Sequence, residues 1–188
     1  MENENTTVTA EKRESEKTEK KGLTIRDLVL TAILLAAGAV LKFFVGSFIN
    51  FFGMKPNFII AMYCMAIVLI RPRVFEAIII GIIAGAICQF FPGTPYLNFL
   101  SEFFGALVMC LLIRIPLPKI GGKVDLMPLL ATFLSTIVSG GIFATFLMVV
   151  IKSDPAALAA FVPIVFFTAV FNAIIVQVLY YPLKKTLK

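Results

Sequence analysis

Eight polar side chains stand near the same ends of four successive apolar stretches: Lys42, Asn50, Lys55, Asn57, Gln89, Tyr96, Asn98 and Glu102. Together they offer one carboxylate, two ammonium groups, four amides and a phenol. Glu102 could hold an ammonium group, and Lys42 or Lys55 a carboxylate, while the amides supply neutral donors and acceptors. This chemistry suits capture of a small polar solute, and we take Lys42, Lys55, Asn57, Gln89, Asn98 and Glu102 as the candidate substrate-binding residues. The alternative for Lys42 and Glu102 is a structural ion pair that neutralises both groups. Phe48, Phe51, Phe52, Phe58, Phe90, Phe91, Phe99 and Phe103 crowd the same region. They read either as an interfacial belt or as the walls of a site for a flat aromatic ligand.

Bond-breaking chemistry has little to work with. The chain contains no histidine, which removes imidazole bases, Ser-His hydrolase arrangements and imidazole metal sites. Cys64, Cys88 and Cys110 lie in apolar runs without metal-site spacing and read as filler. Gly122-Lys123 is followed by Val124, so the phosphate-loop pattern fails. Asp27, Asp125 and Asp154 fall at span ends on different sides and form no protease dyad. We therefore expect no enzyme, no metal and no cofactor held by this chain. No internal repeat suggests a self-sufficient alternating-access transporter.

The elements that position these groups follow from composition. With 60% hydrophobic residues and a mean hydropathy of +0.97 over 188 residues, the chain has the bilayer as its solvent. Apolar stretches of spanning character run over about 28–48, 57–70, 74–91, 96–113, 127–151 and 156–181, the second being short. Breakers separate them at Gly53 with Pro56, Arg71-Pro72-Arg73, Pro92 to Pro95, Pro116 to Gly122, and Asp154-Pro155. The fold class is thus an all-α integral membrane protein of about six transmembrane helices. Residues 1–22, rich in Glu, Lys and Thr, read as a disordered cytoplasmic tail rather than a signal peptide, and residues 23–188 as the transmembrane domain.

Orientation comes from the basic residues. One set of boundaries carries Arg26, Arg71, Arg73, Arg114, Lys119, Lys123, Lys184, Lys185 and Lys188; the other carries only Lys42, Lys55 and Lys152. The positive-inside rule then places both termini in the cytoplasm and the candidate site outside. It also accounts for the net charge of +6 without nucleic acid. Away from the outer ends we expect little polarity beyond Glu76 and Gln177, with Glu76 in an interfacial salt bridge to the inner arginines. Ala77, Gly81 and Gly85 read as an internal packing stripe, with a subunit interface as the alternative. Pro163 is expected to kink the last span.

Over residues 23–188 the chain resembles the substrate-binding S components of energy-coupling factor (ECF) transporters. The resemblance rests on Leu23-Thr24-Ile25-Arg26-Asp27, the Ala32 and Ala36 spacing, Gly53-Met54-Lys55-Pro56-Asn57 and Phe91-Pro92-Gly93. The last two segments look most like the tryptophan-transporter group. The resemblance implies a six-helix capture subunit in the bacterial cell membrane, with tryptophan as the expected solute and a vitamin or vitamin precursor as the alternative. It implies as partners a transmembrane T component and two ATPase subunits, which would use the ATP, with Ala32 and Ala36 facing the T component. The chain departs from the group at Asn57, where an Asp is expected, and at Gly93-Thr94-Pro95, where a Gly-Gly-Gln run is expected; the first departure moves weight to Glu102. A structural subunit of a membrane complex is the reading from another class.

Overall fold

The computed structural model describes residues 22–48, 56–91, 96–116, 124–151 and 155–187. Six helices follow one another: α1 (Ile25–Phe48), α2 (Ile59–Ile70), α3 (Val74–Cys88), α4 (Leu97–Leu112), α5 (Met127–Ile151) and α6 (Pro155–Thr186). They match the six expected spans in order. Their ends are set by local chemistry. Thr24 and Asp27 open α1 reciprocally: the Asp27 carboxylate accepts from the Thr24 backbone N–H at 3.0 Å, and the Thr24 hydroxyl accepts from the Asp27 N–H at 3.3 Å. Arg71 closes α2 in the left-handed region, φ 53°, donating its N–H to Ile67, and Pro72 prevents continuation. Asp125 accepts from the Met127 N–H at 3.0 Å at the start of α5, where Pro128 costs no helical bond.

Helix α2 is the axis of the bundle. Every residue from Ile59 to Val68 is buried, and α2 packs against each of the other five helices. Around it the others run in the order α1, α3, α4, α5, α6; α1 and α6 do not pack together among the described residues. A 12-residue helix is about 18 Å long, well short of the ~30 Å hydrocarbon layer. Its sheath of protein is what permits this, because the helix from Ile59 to Val68 is buried among the other five.

Helices α1, α5 and α6 hold segments long and apolar enough to cross a membrane, whereas α2, α3 and α4 are shorter apolar helices. This refines the expected spans. Asn57 and Phe58 precede α2 rather than beginning it, and α3 ends at Cys88, three residues before the expected limit. The inner ends of the short helices are tied together: Arg114 donates to the Pro72 carbonyl at 3.1 Å, and Glu76 accepts from the N–H groups of Arg73 at 2.7 Å and Leu23 at 3.3 Å. By length α2, α3 and α4 extend about 18–24 Å, against about 36–48 Å for α1, α5 and α6.

Arg26 reaches the Leu187 carbonyl at 2.7 Å, so the start of α1 and the end of α6 lie at one end of the bundle. Arg71, Arg73, Arg114, Lys184 and Lys185 share that end, which the positive-inside rule makes cytoplasmic. Ala77, Gly81 and Gly85 do pack internally, against α4. A Cβ on Gly81 would lie 2.6 Å from the Glu102 carbonyl oxygen and 2.7 Å from Ala106, so only glycine allows this approach. Helix α6 runs unbroken through Pro163 and Pro182. The expected tail lies outside the described residues except Gly22.

Candidate functional site

Lys42 on α1, Cys88 at the end of α3, Asn57 before α2 and Glu102 on α4 form one chain of contacts. Lys42 Nζ lies 3.3 Å from Cys88 Sγ, Asn57 Nδ2 lies 3.7 Å from the same sulfur, and Asn57 Nδ2 donates to Glu102 Oε1 at 2.5 Å. Ser139 on α5 donates to Glu102 Oε2 at 3.2 Å. Lys42 is 8% exposed and Glu102 1%. Burial of two ionisable side chains this deep is costly without partners, which is what the chain of contacts supplies. The ammonium also sits 5.1 Å from the centre of the Phe91 ring, within cation–π range.

The local reasons are legible. Lys42 shares a face of α1 with Thr31, Leu34, Leu35 and Gly38, the residues buried against the bundle. Glu102 lies five residues into α4, about 8 Å along the helix, on the face with Ser101, Gly105, Ala106 and Met109. The glycines at 81 and 105 bring the neighbouring helices against that face. A Cβ on Gly105 would meet the Tyr63 hydroxyl and, at 3.0 Å, the Ser139 Cβ. Glycine there is required by the close approach of three helices.

Of the six candidate residues, the structure joins Lys42, Asn57 and Glu102. No direct Lys42–Glu102 ion pair forms among the described residues; Asn57 and Cys88 stand between the two charges. Gln89 goes elsewhere, donating to the Gly85 carbonyl at 3.1 Å and accepting from the Tyr96 N–H at 3.1 Å, so its hydrogen bonds secure the α3–α4 connection. Asn98 is half-buried on α4, and its carbonyl accepts from Ser101 at 3.3 Å. Lys55 and Asn50, with Phe51 and Phe52, lie outside the described residues. Phe58 is buried at 5%, while Phe48, Phe90 and Tyr96 point outward, so the aromatic cluster divides between core and periphery.

Two expectations need correction. Cys88 is not mere filler, because its sulfur contacts both Lys42 and Asn57. The bundle interior is also more polar than expected. Thr132, Ser135, Thr136 and Ser139 are buried on one face of α5, and Thr168 and Asn172 are buried on α6. The spacing i, i+3, i+4, i+7 was the available signal. It is muted because two of these hydroxyls bond to helix carbonyls, Thr136 to Thr132 at 2.8 Å and Ser135 to Gly105 at 2.7 Å. Glu76 engages backbone N–H groups as helix cap, a role the salt-bridge expectation omitted.

Asn172 donates to the Asn57 carbonyl at 3.1 Å and to the Thr136 hydroxyl at 3.5 Å, so α6 also reaches the site. The Tyr63 hydroxyl faces Glu102 and Ser135 but meets neither with hydrogen-bonding geometry. No group of His, Cys, Asp and Glu suited to a metal ion occurs among the described residues. The arrangement presents one amino and one carboxyl side chain, separated by an amide and a thiol.

The family model described as Tryptophan transporter TrpP matches residues 24–188. A protein of Clostridium acetobutylicum named "Probable tryptophan transport protein" is 24% identical over 169 residues, covering 88% of this chain and 96% of its own length. A protein of Bacillus subtilis with the same name is 30% identical over 168 residues, covering 86% and 92%. No solved structure matches the chain. With the family match reaching from Thr24 to Lys188 and six apolar helices folded about a buried axis, the chain belongs to the TrpP tryptophan transporter family, as an all-α multi-pass protein of the bacterial cell membrane.

Proposed function

We propose that this protein captures tryptophan from the outer side of the membrane as the substrate-binding subunit of an ECF-type importer. The observation that carries the reading is the buried Lys42–Cys88–Asn57–Glu102 chain, two groups of opposite charge type held apart by an amide. A zwitterionic amino acid supplies the complement of each: its ammonium goes to Glu102 and its carboxylate to Lys42. The Phe91 ring beside Lys42 offers an apolar face to the indole. In this reading Lys55, Gln89 and Asn98 would also contribute to substrate binding.

Energy comes from partners in this reading. Ala32 and Ala36 are exposed on the side of α1 turned away from α2, where a T component would pack closely against small residues. Two ATPase subunits would hydrolyse the ATP, and this chain would bind no cofactor of its own. The internal use of Ala77, Gly81 and Gly85 weighs against a purely structural subunit built on that stripe.

The test is equilibrium binding of radiolabelled tryptophan to the purified protein in detergent, with other aromatic amino acids and vitamins as competitors. Saturable binding displaced by unlabelled tryptophan is expected. Displacement by a vitamin alone would replace the solute, and absence of any binding would overturn the capture reading.

A further inference from the structure

Two buried polar atoms without a partner belong to side chains that contact the Asn57–Glu102 pair: the Tyr63 hydroxyl on α2, which faces Glu102, and Oδ1 of Asn172 on α6, whose amide bonds Asn57. Both side chains are 0% exposed. An unpaired buried polar atom costs about 1–3 kcal/mol, so it marks either strain or a place for a ligand. Tyr63 lies against Glu102, and Asn172 holds the carbonyl of Asn57, whose own side chain ends on Glu102. The amide orientation of Asn172 is fixed by that bond, because only its nitrogen can donate to a carbonyl. Its oxygen is therefore an acceptor.

We infer that Tyr63 and Asn172 complete an ammonium subsite with Glu102. The inference rests on the amino-acid reading above and names residues that reading did not use. A primary ammonium has three donors and no acceptor. Three acceptors belong to the residues joined here: the Glu102 carboxylate, the phenol oxygen that faces it and the amide oxygen of Asn172, the residue that holds Asn57. On binding, the ammonium takes the place of Asn57 Nδ2 on Oε1. The third orphan, the Thr132 hydroxyl, lies two helical turns below Ser139 on α5, about 10 Å from that level, and takes no part.

The test compares the wild type with Tyr63→Phe, Asn172→Leu and Asn172→Asp in tryptophan binding and in thermal unfolding without tryptophan. Tyr63→Phe is expected to weaken binding about 5-fold and Asn172→Leu about 10-fold or more, the range for one lost hydrogen bond to a charged group. Asn172→Asp keeps an acceptor but loses the amide donor that holds the Asn57 carbonyl, so it is expected to bind more tightly than Asn172→Leu and more weakly than the wild type. Unfolding temperatures should not fall with Tyr63→Phe, because the hydroxyl it deletes has no partner in the fold. Wild-type affinity in both Tyr63→Phe and Asn172→Leu would overturn the subsite. Should Asn172→Leu fail to fold, Tyr63→Phe decides alone. Failure of the wild type to bind tryptophan would remove the functional reading and this inference together, whereas wild-type binding with unaltered variants removes only the inference.

Discussion

Asn57 donates to Glu102 Oε1 at 2.5 Å, across 45 positions of sequence, and so joins the lead into the central helix to the face of α4. Asn57 also anchors to α6 through its carbonyl and to Cys88 through its amide. Any solute that displaces this amide from Glu102 acts on the start of α2, the element that every other helix touches. In the proposed reading, binding and helix arrangement would be linked at this one residue.

Glu102→Gln keeps the shape of the side chain and one of its two acceptor oxygens but removes its charge. Tryptophan affinity should fall about 10-fold or more, the loss of a charge-assisted bond, while expression and unfolding temperature hold. Unchanged affinity in equilibrium binding would return Glu102 to a structural role.

Lys42→Met preserves the apolar stem and deletes the ammonium. If Lys42 receives the solute carboxylate, the variant should lose affinity for tryptophan about 10-fold while retaining displacement of bound label by tryptamine, which has no carboxylate. Equal losses for both compounds would separate Lys42 from carboxylate recognition.

Gly81→Ala should destabilise by about 1–3 kcal/mol, because its Cβ would stand 2.6 Å from a backbone oxygen of α4. Gly141→Ala is the control: nothing lies within 4 Å of its Cβ, so stability should hold or rise by about 0.5–1 kcal/mol. Thermal unfolding in detergent reads both. A neutral Gly81→Ala would mean that α3 and α4 separate without cost.

Ala32→Leu and Ala36→Leu place bulk on the exposed side of α1 and touch no buried group. Tryptophan binding by the purified variants should match the wild type, whereas uptake by cells that supply the ECF module should be abolished. Normal uptake by the double variant would remove this face from coupling.

Much of the architecture was legible in the sequence because membrane burial imposes long-range order on local composition. Apolar length, the Pro and Gly breakers and the biased placement of Arg and Lys gave six helices, their order and their orientation. The candidate site was legible as a set of polar residues at the outer ends, and Glu102, Asn57 and Lys42 do converge. Gln89 belonged to the same set by depth, yet its side chain bonds to Gly85 and Tyr96; depth along a helix does not reveal the direction a side chain takes.

Which faces meet is set by tertiary packing. That α2 is short is readable from its apolar run; that it is the buried axis follows from five neighbours packing on it, which hydropathy cannot express because lipid-facing and core-facing residues are equally apolar. For the same reason Tyr63, Cys88, Ser139 and Asn172 gave little signal. Each is a single polar group in an apolar run, and its meaning depends on the partner brought to it by glycine-mediated contact between helices.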